Sequence, residues 1–301
     1  MAGARFGGVE LGGTKALALI SDGATILDQC RLPTTAPDRL LPPLAAWLAA
    51  RHAEHPLASL GIASFGPLRL DPAAADFGHM LPTPKPGWSD ADIRGGLAGW
   101  FDGPVALDTD VNGAALAEGQ WGAARGCAVH AYLTIGTGLG GGIVVNGAPL
   151  HGLLHPELGH VRVSRPAGAS FKGICPFHGD CLEGLIAGPA LAARTGLPGE
   201  ALPPDHPVWA EVCDELADLL ATLLLTVSAQ RILIGGGVGL ALGSRMKRLR
   251  AAVADRLGGY LPGIDASSLE TIIMPPALGD RAGPLGAIAL AKRVFTAETF
   301  G

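Results

Sequence analysis

The feature that most constrains how this 301-residue chain can fold is a glycine-bent hairpin that occurs twice. In the first copy an apolar run at 6–11 meets Gly12, Gly13, Thr14 and Lys15, and a second apolar run follows at 16–20. In the second copy, 131–135 leads into a turn rich in glycine, Gly136, Thr137, Gly138 and on to Gly142, and 143–145 precedes Asn146-Gly147. Asn-Gly is the strongest short hairpin signal, because both residues tolerate the positive φ of a tight turn. Apolar run, glycine turn, apolar run reads as strand, turn, strand. One such unit in each half predicts a duplicated fold.

Around the hairpins, helical and strand patterns alternate. The periodicity predicts a helix over 38–55, a strand at 60–64 and a helix opening at Ser89 through a Ser-x-x-Asp capping pattern. A short strand at 105–107, a helix over 112–122 and a long helix over 208–227 follow, then a strand at 231–234 and a last helix over 283–295. This is an α/β chain of two lobes. With 48% hydrophobic and 16% charged residues, it can bury a large core. Residues 67–87, rich in proline and glycine, form an irregular stretch long enough to be expected at the mouth of a ligand-binding cleft.

Several classes of function are disfavoured. The most apolar stretch, 216–227, contains Asp218 and is followed by Arg231, so it falls short of the roughly 20 residues a membrane span needs and reads as a buried helix. A net charge of −5 and no cluster of Lys and Arg leave no footprint for nucleic acid. Five cysteines give no even disulfide framework, and the N-terminus carries no export signal, so a cytoplasmic protein acting on a small molecule is expected.

The densest chemistry lies between 151 and 183. Cys175, His178 and Cys181 fall at C-x2-H-x2-C spacing, which lets one turn present three ligands, and His160 can close a tetrahedron from upstream. One cysteine alone reads better as a small core side chain. Four soft ligands within 22 positions, in a turn without apolar periodicity, predict a zinc site instead. Glu157 and Glu183 flank the ligands, so folding around the ion would place both carboxylates for a polyhydroxylated substrate. Cys30, Cys127 and Cys213 are isolated and carry no assigned role.

Gly136, Gly138 and Gly141 match G-x-G-x-x-G after a strand, but a dinucleotide fingerprint needs a helix to open on the last glycine, and here a second strand follows. Glycines in a strand-turn-strand can still bring backbone N–H groups against phosphate oxygens, with Thr14 and Thr137 adding hydroxyls. Taken singly, each loop is better explained as a tight hairpin; two matched Gly-Thr loops shift that balance. A third cluster, Gly235, Gly236 and Gly237, follows a strand; it permits close approach of a flat ring or sugar, or is a plain strand-to-helix turn. Asp108 and Asp110 lie where a short strand gives way to a helix, the place α/β folds put ligands, and each could cap that helix or act as a base.

These segments together resemble the ROK sugar kinases (repressor, open reading frame, kinase), and within them the bacterial zinc-containing fructokinases. The matching stretches are VELGGTK at 9–15, ASFGP at 63–67, LPTPKPGW at 81–88, DTDVN at 108–112, LTIGTGLGGG at 133–142, HGLLHPELGH at 151–160, CPFHGDCLE at 175–183 and IGGGV at 234–238. The resemblance implies an actin-like ATPase fold, a duplicated ribonuclease H-like architecture with two lobes around a cleft. The lobes would be 1–110, completed by a C-terminal helix at 283–301, and 111–282. It implies ATP, Mg²⁺ and a structural Zn²⁺ as cofactors, a hexose as substrate, and a homodimer.

Asp110 would then be the general base. Ser64, Gly66, Asn112, Glu157, His160 and Glu183 would contact sugar, and Glu10, Gly12, Gly13, Thr14, Lys15, Gly136, Thr137, Gly138, Gly235, Gly236 and Gly237 would handle Mg-ATP. His160, Cys175, His178 and Cys181 would hold zinc. Two departures stand out: Glu10 replaces the aspartate of the wider family, and His178 replaces a cysteine of its common zinc pattern. Fructose leads over mannose and glucose because Thr109 and the 83–88 segment match the fructokinase branch. Some relatives carry a DNA-binding domain, but here the first phosphate loop begins at Gly12, which leaves no room before it for a helix-turn-helix.

Overall fold

The structure, a computed structural model, describes residues 3–165 and 168–300. It divides into two compact units: Met1–Arg125 with Ala148–His155 and Leu278–Gly301, and Gly126–Gly147 with Pro156–Ala277. In the first unit β1 (Arg5–Leu11), β2 (Lys15–Ser21), β3 (Ile26–Pro33), α1 (Pro37–Glu54), β4 (Leu57–Ser64), α2 (Ile93–Ala98), β5 (Val105–Thr109) and α3 (Asp110–Trp121) run in order. Then come β6 (Val129–Ile135), β7 (Leu139–Val145), β8 (Ala148–Pro149), α4 (Leu182–Ile186), α5 (Gly188–Thr195), α6 (Val208–Thr226), β9 (Arg231–Gly235), α7 (Gly236–Ala241), α8 (Met246–Leu257), α9 (Leu269–Ile272) and β10 (Ile273–Met274). A final helix, α10 (Ala282–Phe300), returns to the first unit.

The two sheets have one topology. The first is ordered β3-β2-β1-β4-β5 and the second β10-β9-β6-β7-β8. In each, a hairpin supplies an antiparallel pair (β1/β2 and β6/β7), and the strand leading it pairs in parallel with a later one (β4 and β9). The duplication expected from the paired glycine hairpins is thus a duplication of sheet topology. Asn146 and Gly147 have φ of 51° and 77°, as a primed turn requires.

Alternation along β2 shows how the first sheet is covered. Ala16, Ala18 and Ile20 join a core cluster with Leu40, Leu44 and Leu48 of α1, while Leu17 and Leu19 join Ile288 and Ala291 of α10. Each face of the sheet therefore takes one helical layer. Helix α10 also crosses α3, and a Cβ on Gly286 would come 2.5 Å from the carbonyl carbon of Gly113. That close backbone crossing, possible only with glycine at the contact, carries α3 into the first unit. The boundary expected at residue 110 accordingly falls at Arg125, and 148–155 also belongs to the first unit.

Other expectations differ in detail. The helix expected from Ser89 begins at Ile93, because Asp90 sits at φ 64° and interrupts any continuous helix. Asp92 is the cap, its Oδ1 accepting from the Gly95 N–H at 2.7 Å, while Ser89 bonds Thr83. Strand β7 absorbs Gly140, Gly141 and Gly142, which pair with Thr134, Leu133 and Tyr132. Strand β3 was not anticipated; it is an edge strand with Asp28, Gln29 and Arg31 exposed, so it lacks a clean apolar alternation. Residues 67–87 contain neither helix nor long strand, only isolated bridges between Leu68 and Met80 and from His79 to Asp92. Among the described residues no helix is long and apolar enough to cross a membrane.

Candidate active site and metal centre

Strand register places the acidic residues of the first unit together. Glu10 aligns with Ala63 and Ala63 with Asp108; one step on, Leu11 aligns with Ser64 and Ser64 with Thr109. Glu10, Ser64 and the 108–110 segment therefore share the carboxyl edge of three parallel strands, the edge at which α/β sheets bind ligands. Asp110 opens α3, and its Oδ1 accepts from the Val111 N–H at 2.9 Å. Burial, ahead of that opposing hydrogen bond, pushes its carboxyl from 3.8 up to about 6. Burial also lifts Glu10, to about 7; Lys15 opposes this and the charge of Asp110 adds to it. Glu10 Oε2 is buried without a hydrogen-bond partner. A carboxylate oxygen left in that state fits a hydrated divalent cation.

Neither aspartate caps α3. Thr109 does, its Oγ1 accepting from the Asn112 N–H at 3.2 Å. Asp108 is instead a buried acceptor for the Thr109 N–H (2.8 Å), Asn112 Nδ2 (2.7 Å) and His151 Nε2 (3.1 Å). Ser64 is buried and donates to the Phe65 carbonyl at 2.8 Å. Gly66 faces the His155 ring, which accepts from the Leu68 N–H, so this histidine serves the 65–68 loop and is not a member of the His160, Cys175, His178, Cys181 group.

The first glycine loop is braced from outside the hairpin. Gly12 N–H bonds the Lys15 carbonyl at 2.9 Å, Thr34 Oγ1 bonds the Gly12 carbonyl at 2.8 Å, and Lys85 Nζ bonds the Gly13 carbonyl at 2.6 Å. Lys85 also lies over Phe65, and Phe65 packs edge-on against buried Trp88. The 83–88 segment thus locks the first glycine loop to the 65–68 loop. Nothing in the sequence of this segment marks Lys85 for that role. An isolated lysine after a proline carries no pattern that separates it from a solvated one.

In the second unit, Gly136, Thr137 and Gly237 line a cavity of about 450 Å³ with Gly188, Pro189 and Trp209. Gly236 holds φ 78°, and a Cβ there would lie 2.5 Å from the Ile135 carbonyl oxygen, so the turn admits only glycine. Gly235 ends β9 and Gly236 begins α7, so the strand-to-helix turn is real and also borders the cavity. Gly138 lies beside Glu183, whose Oε2 accepts from the Leu139 N–H at 2.9 Å. Glu183 is therefore tied to the second glycine loop. Glu157 is exposed, and its carbonyl accepts from the His160 N–H to form a single 3-10 turn.

That turn delivers His160 to the cysteines. Cys175 and Gly179 exchange backbone hydrogen bonds of 3.1 and 2.8 Å, which folds 175–179 back on itself, and Cys181 follows in a bridge to Arg162. The ligand atoms of His160, Cys175, His178 and Cys181 all lie within 4.8 Å of one another. Cys175 Sγ is 3.7 Å from Nδ1 of His160 and of His178, and Cys181 Sγ is 3.5 Å from His160 Nδ1. A tetrahedron with Zn–S of about 2.3 Å and Zn–N of about 2.05 Å has an S···N edge of about 3.6 Å. The donor set fits zinc in type and spacing. Burial, then the neighbouring Cys175, pushes the Cys181 thiol up to about 11 when these side chains stand alone; a dication among them would invert that.

A family model for ROK proteins matches residues 6–294. The chain is 41% identical to a fructokinase from Zymomonas mobilis subsp. mobilis, over 95% of this chain and 96% of that one. It is 36% identical to a fructokinase from Pediococcus pentosaceus, over 95% and 97%. The structure matches a ROK hexokinase from Thermus thermophilus with a TM-score of 0.75 and 30% identity, covering 96% of this chain and 98% of the other. The architecture is the actin-like ATPase fold with two lobes. From the match along almost its whole length, the chain belongs to the ROK family.

Proposed function

We propose that this protein transfers the γ-phosphoryl group of ATP to a hexose, with D-fructose the leading substrate and fructose 6-phosphate the product. The observation that carries the reading is Asp110. Its carboxyl sits at the start of α3 on the sheet edge it shares with Glu10, with burial placing it near 6. Phosphoryl transfer asks the protein for positioning and charge stabilisation more than for covalent chemistry. A base at about 6 is mostly ionised at neutral pH yet close enough to it to accept a hydroxyl proton efficiently. The choice of fructose rests on the relatives named fructokinases at 36–41% identity.

In this scheme Asp110 accepts the proton of the attacking sugar hydroxyl, while Ser64, Gly66, Asn112, Glu157, His160 and Glu183 orient the sugar. Glu10 would hold the Mg²⁺ that accompanies ATP, which would neutralise charge on the phosphates, and its orphaned Oε2 supports that role. In the loops at 12–15 and 136–138 the Gly12 and Gly136 N–H groups hold the turns by bonding the Lys15 and Gly138 carbonyls, and the other backbone N–H groups of these loops would meet phosphate oxygens. The cavity walled by Gly188, Pro189 and Gly237 suits a flat adenine ring.

His160, Cys175, His178 and Cys181 would hold a structural zinc that supplies rigidity and no open coordination position. His160 can serve both roles, because its Nδ1 faces the sulfurs and Nε2 is on the other side of the ring. A reducing, cytoplasmic setting keeps the two cysteines available as ligands. The proposal includes a homodimer, as the family resemblance implies.

ADP release with Mg-ATP, measured across fructose, mannose, glucose and no sugar, tests the reading. Release that depends on fructose well above the rest is expected. Preference for mannose or glucose moves the substrate and keeps the mechanism; release independent of any sugar ends the proposal.

A further inference from the structure

Asn112 is fully buried, and its two amide atoms are in unlike surroundings. Nδ2 donates to Asp108 Oδ1 at 2.7 Å, whereas Oδ1 has no hydrogen-bond partner. Flipping the amide would set its oxygen against the Asp108 carboxylate, two acceptors face to face, so Asp108 decides the orientation. A buried amide oxygen left without a donor is costly unless a ligand supplies one.

Asp108 is itself held. Its Oδ1 accepts from the Thr109 N–H at 2.8 Å, and His151 Nε2 lies 3.1 Å from Oδ2 and 3.2 Å from Oδ1. His151 arrives from the 148–155 segment, far in sequence from the DTDVN stretch, with its side chain 38% exposed. Asp108 holds its imidazole above the ordinary range, against burial and the like charge of Arg293 on α10. The hydroxyl of Thr109, the residue between the two aspartates, is occupied capping α3. The helix start is therefore satisfied without His151, whose Nε2 serves Asp108 and also lies 3.4 Å from Asn112 Nδ2, so its ring braces the carboxylate and the amide together.

We infer that Asp108, tied down by His151, is a positioning residue that locks the Asn112 amide with its oxygen presented as an acceptor for a substrate hydroxyl. This rests on the reading of the protein as a sugar kinase. The lock acts on sugar binding, while the phosphate loops and Asp110 are untouched by it.

The test is His151→Ala, a change at a half-exposed side chain, assayed for the KM of sugar and of ATP separately and for melting temperature. Sugar KM is expected to rise about 5- to 10-fold, the size of one net hydrogen bond, with kcat and the ATP KM within twofold of the parent. His151→Gln, whose amide can donate to Asp108, should recover most of the loss. In an Asn112→Ala background, His151→Ala should add less than twofold. Unchanged sugar KM, a parallel rise in ATP KM, or fully additive losses would overturn the inference. Calorimetric sugar binding by the same variants separates the two failures. A parent that binds sugar without turning over ends the kinase reading while binding still decides this one; a parent that binds no sugar ends both.

Discussion

Asp110→Asn should lose activity and gain stability, and both magnitudes follow from one carboxyl. The amide keeps an oxygen for the Val111 N–H now met at 2.9 Å, so the start of α3 is preserved. Asp110 is raised from 3.8 to about 6, chiefly by burial. A carboxyl whose folded pKa exceeds its unfolded one binds extra protons in the folded state between those values, so folding stability falls as pH rises through that window. The full span, at about 1.36 kcal/mol per pH unit, is about 3 kcal/mol.

The side chain is only half-buried, which trims that cost to about 1–2 kcal/mol. Replacing the carboxylate removes it. The melting temperature of Asp110→Asn should rise by about 2–6 °C at pH 7.5, and by about half as much at pH 5, where part of the wild-type population is already protonated. Turnover should drop by about 10²- to 10⁴-fold at pH 7.5 and by about tenfold less at pH 5, because wild-type kcat/KM should itself fall below pH 6 by about tenfold per unit. Scanning fluorimetry beside steady-state kinetics reads all of this. A variant less stable at pH 7.5, a stability difference independent of pH, or retained turnover would refute the reasoning.

Two further outcomes are expected. Purified protein should carry about one zinc per chain by elemental analysis, Cys181→Ala should lose it, and removing the ion should weaken sugar binding before ATP binding; equal loss of both in calorimetry contradicts a zinc that organises the sugar side. Glu215→Ala should cost about 3–5 kcal/mol, because Arg194 is 9% exposed, bonds both Glu215 oxygens at 2.8 and 3.0 Å, and among the described residues keeps only Glu211 as its other carboxylate partner. A melting temperature near that of the parent would show that Glu211 compensates.

Much of this molecule was legible before folding because glycine and ligand spacing are local. The hairpins at 12–15 and 136–147 and the Cys175, His178, Cys181 turn need only a few consecutive residues to declare themselves. What was missed depends on partners distant in sequence. Thr109 was passed over as the cap of α3 because the aspartates on either side are equally good caps by type, and only the folded backbone shows which oxygen reaches the Asn112 N–H. Strand β3 was hidden because an edge strand presents mixed polarity. The unit boundary at Arg125 depends on α10 crossing α3 at Gly113 and Gly286, a contact between residues far apart along the chain. His151 and Lys85 were missed for the same reason: each acts on a loop or strand end remote in sequence.

The most direct measurement is phosphorus NMR of a reaction holding the zinc-replete protein, Mg-ATP and fructose. The account predicts a sugar phosphate ester growing with ADP in equal amounts, identified as fructose 6-phosphate, and absent from the same mixture made with Asp110→Asn. ATP converted to ADP and inorganic phosphate with no ester, or an ester formed equally well by Asp110→Asn, would contradict it.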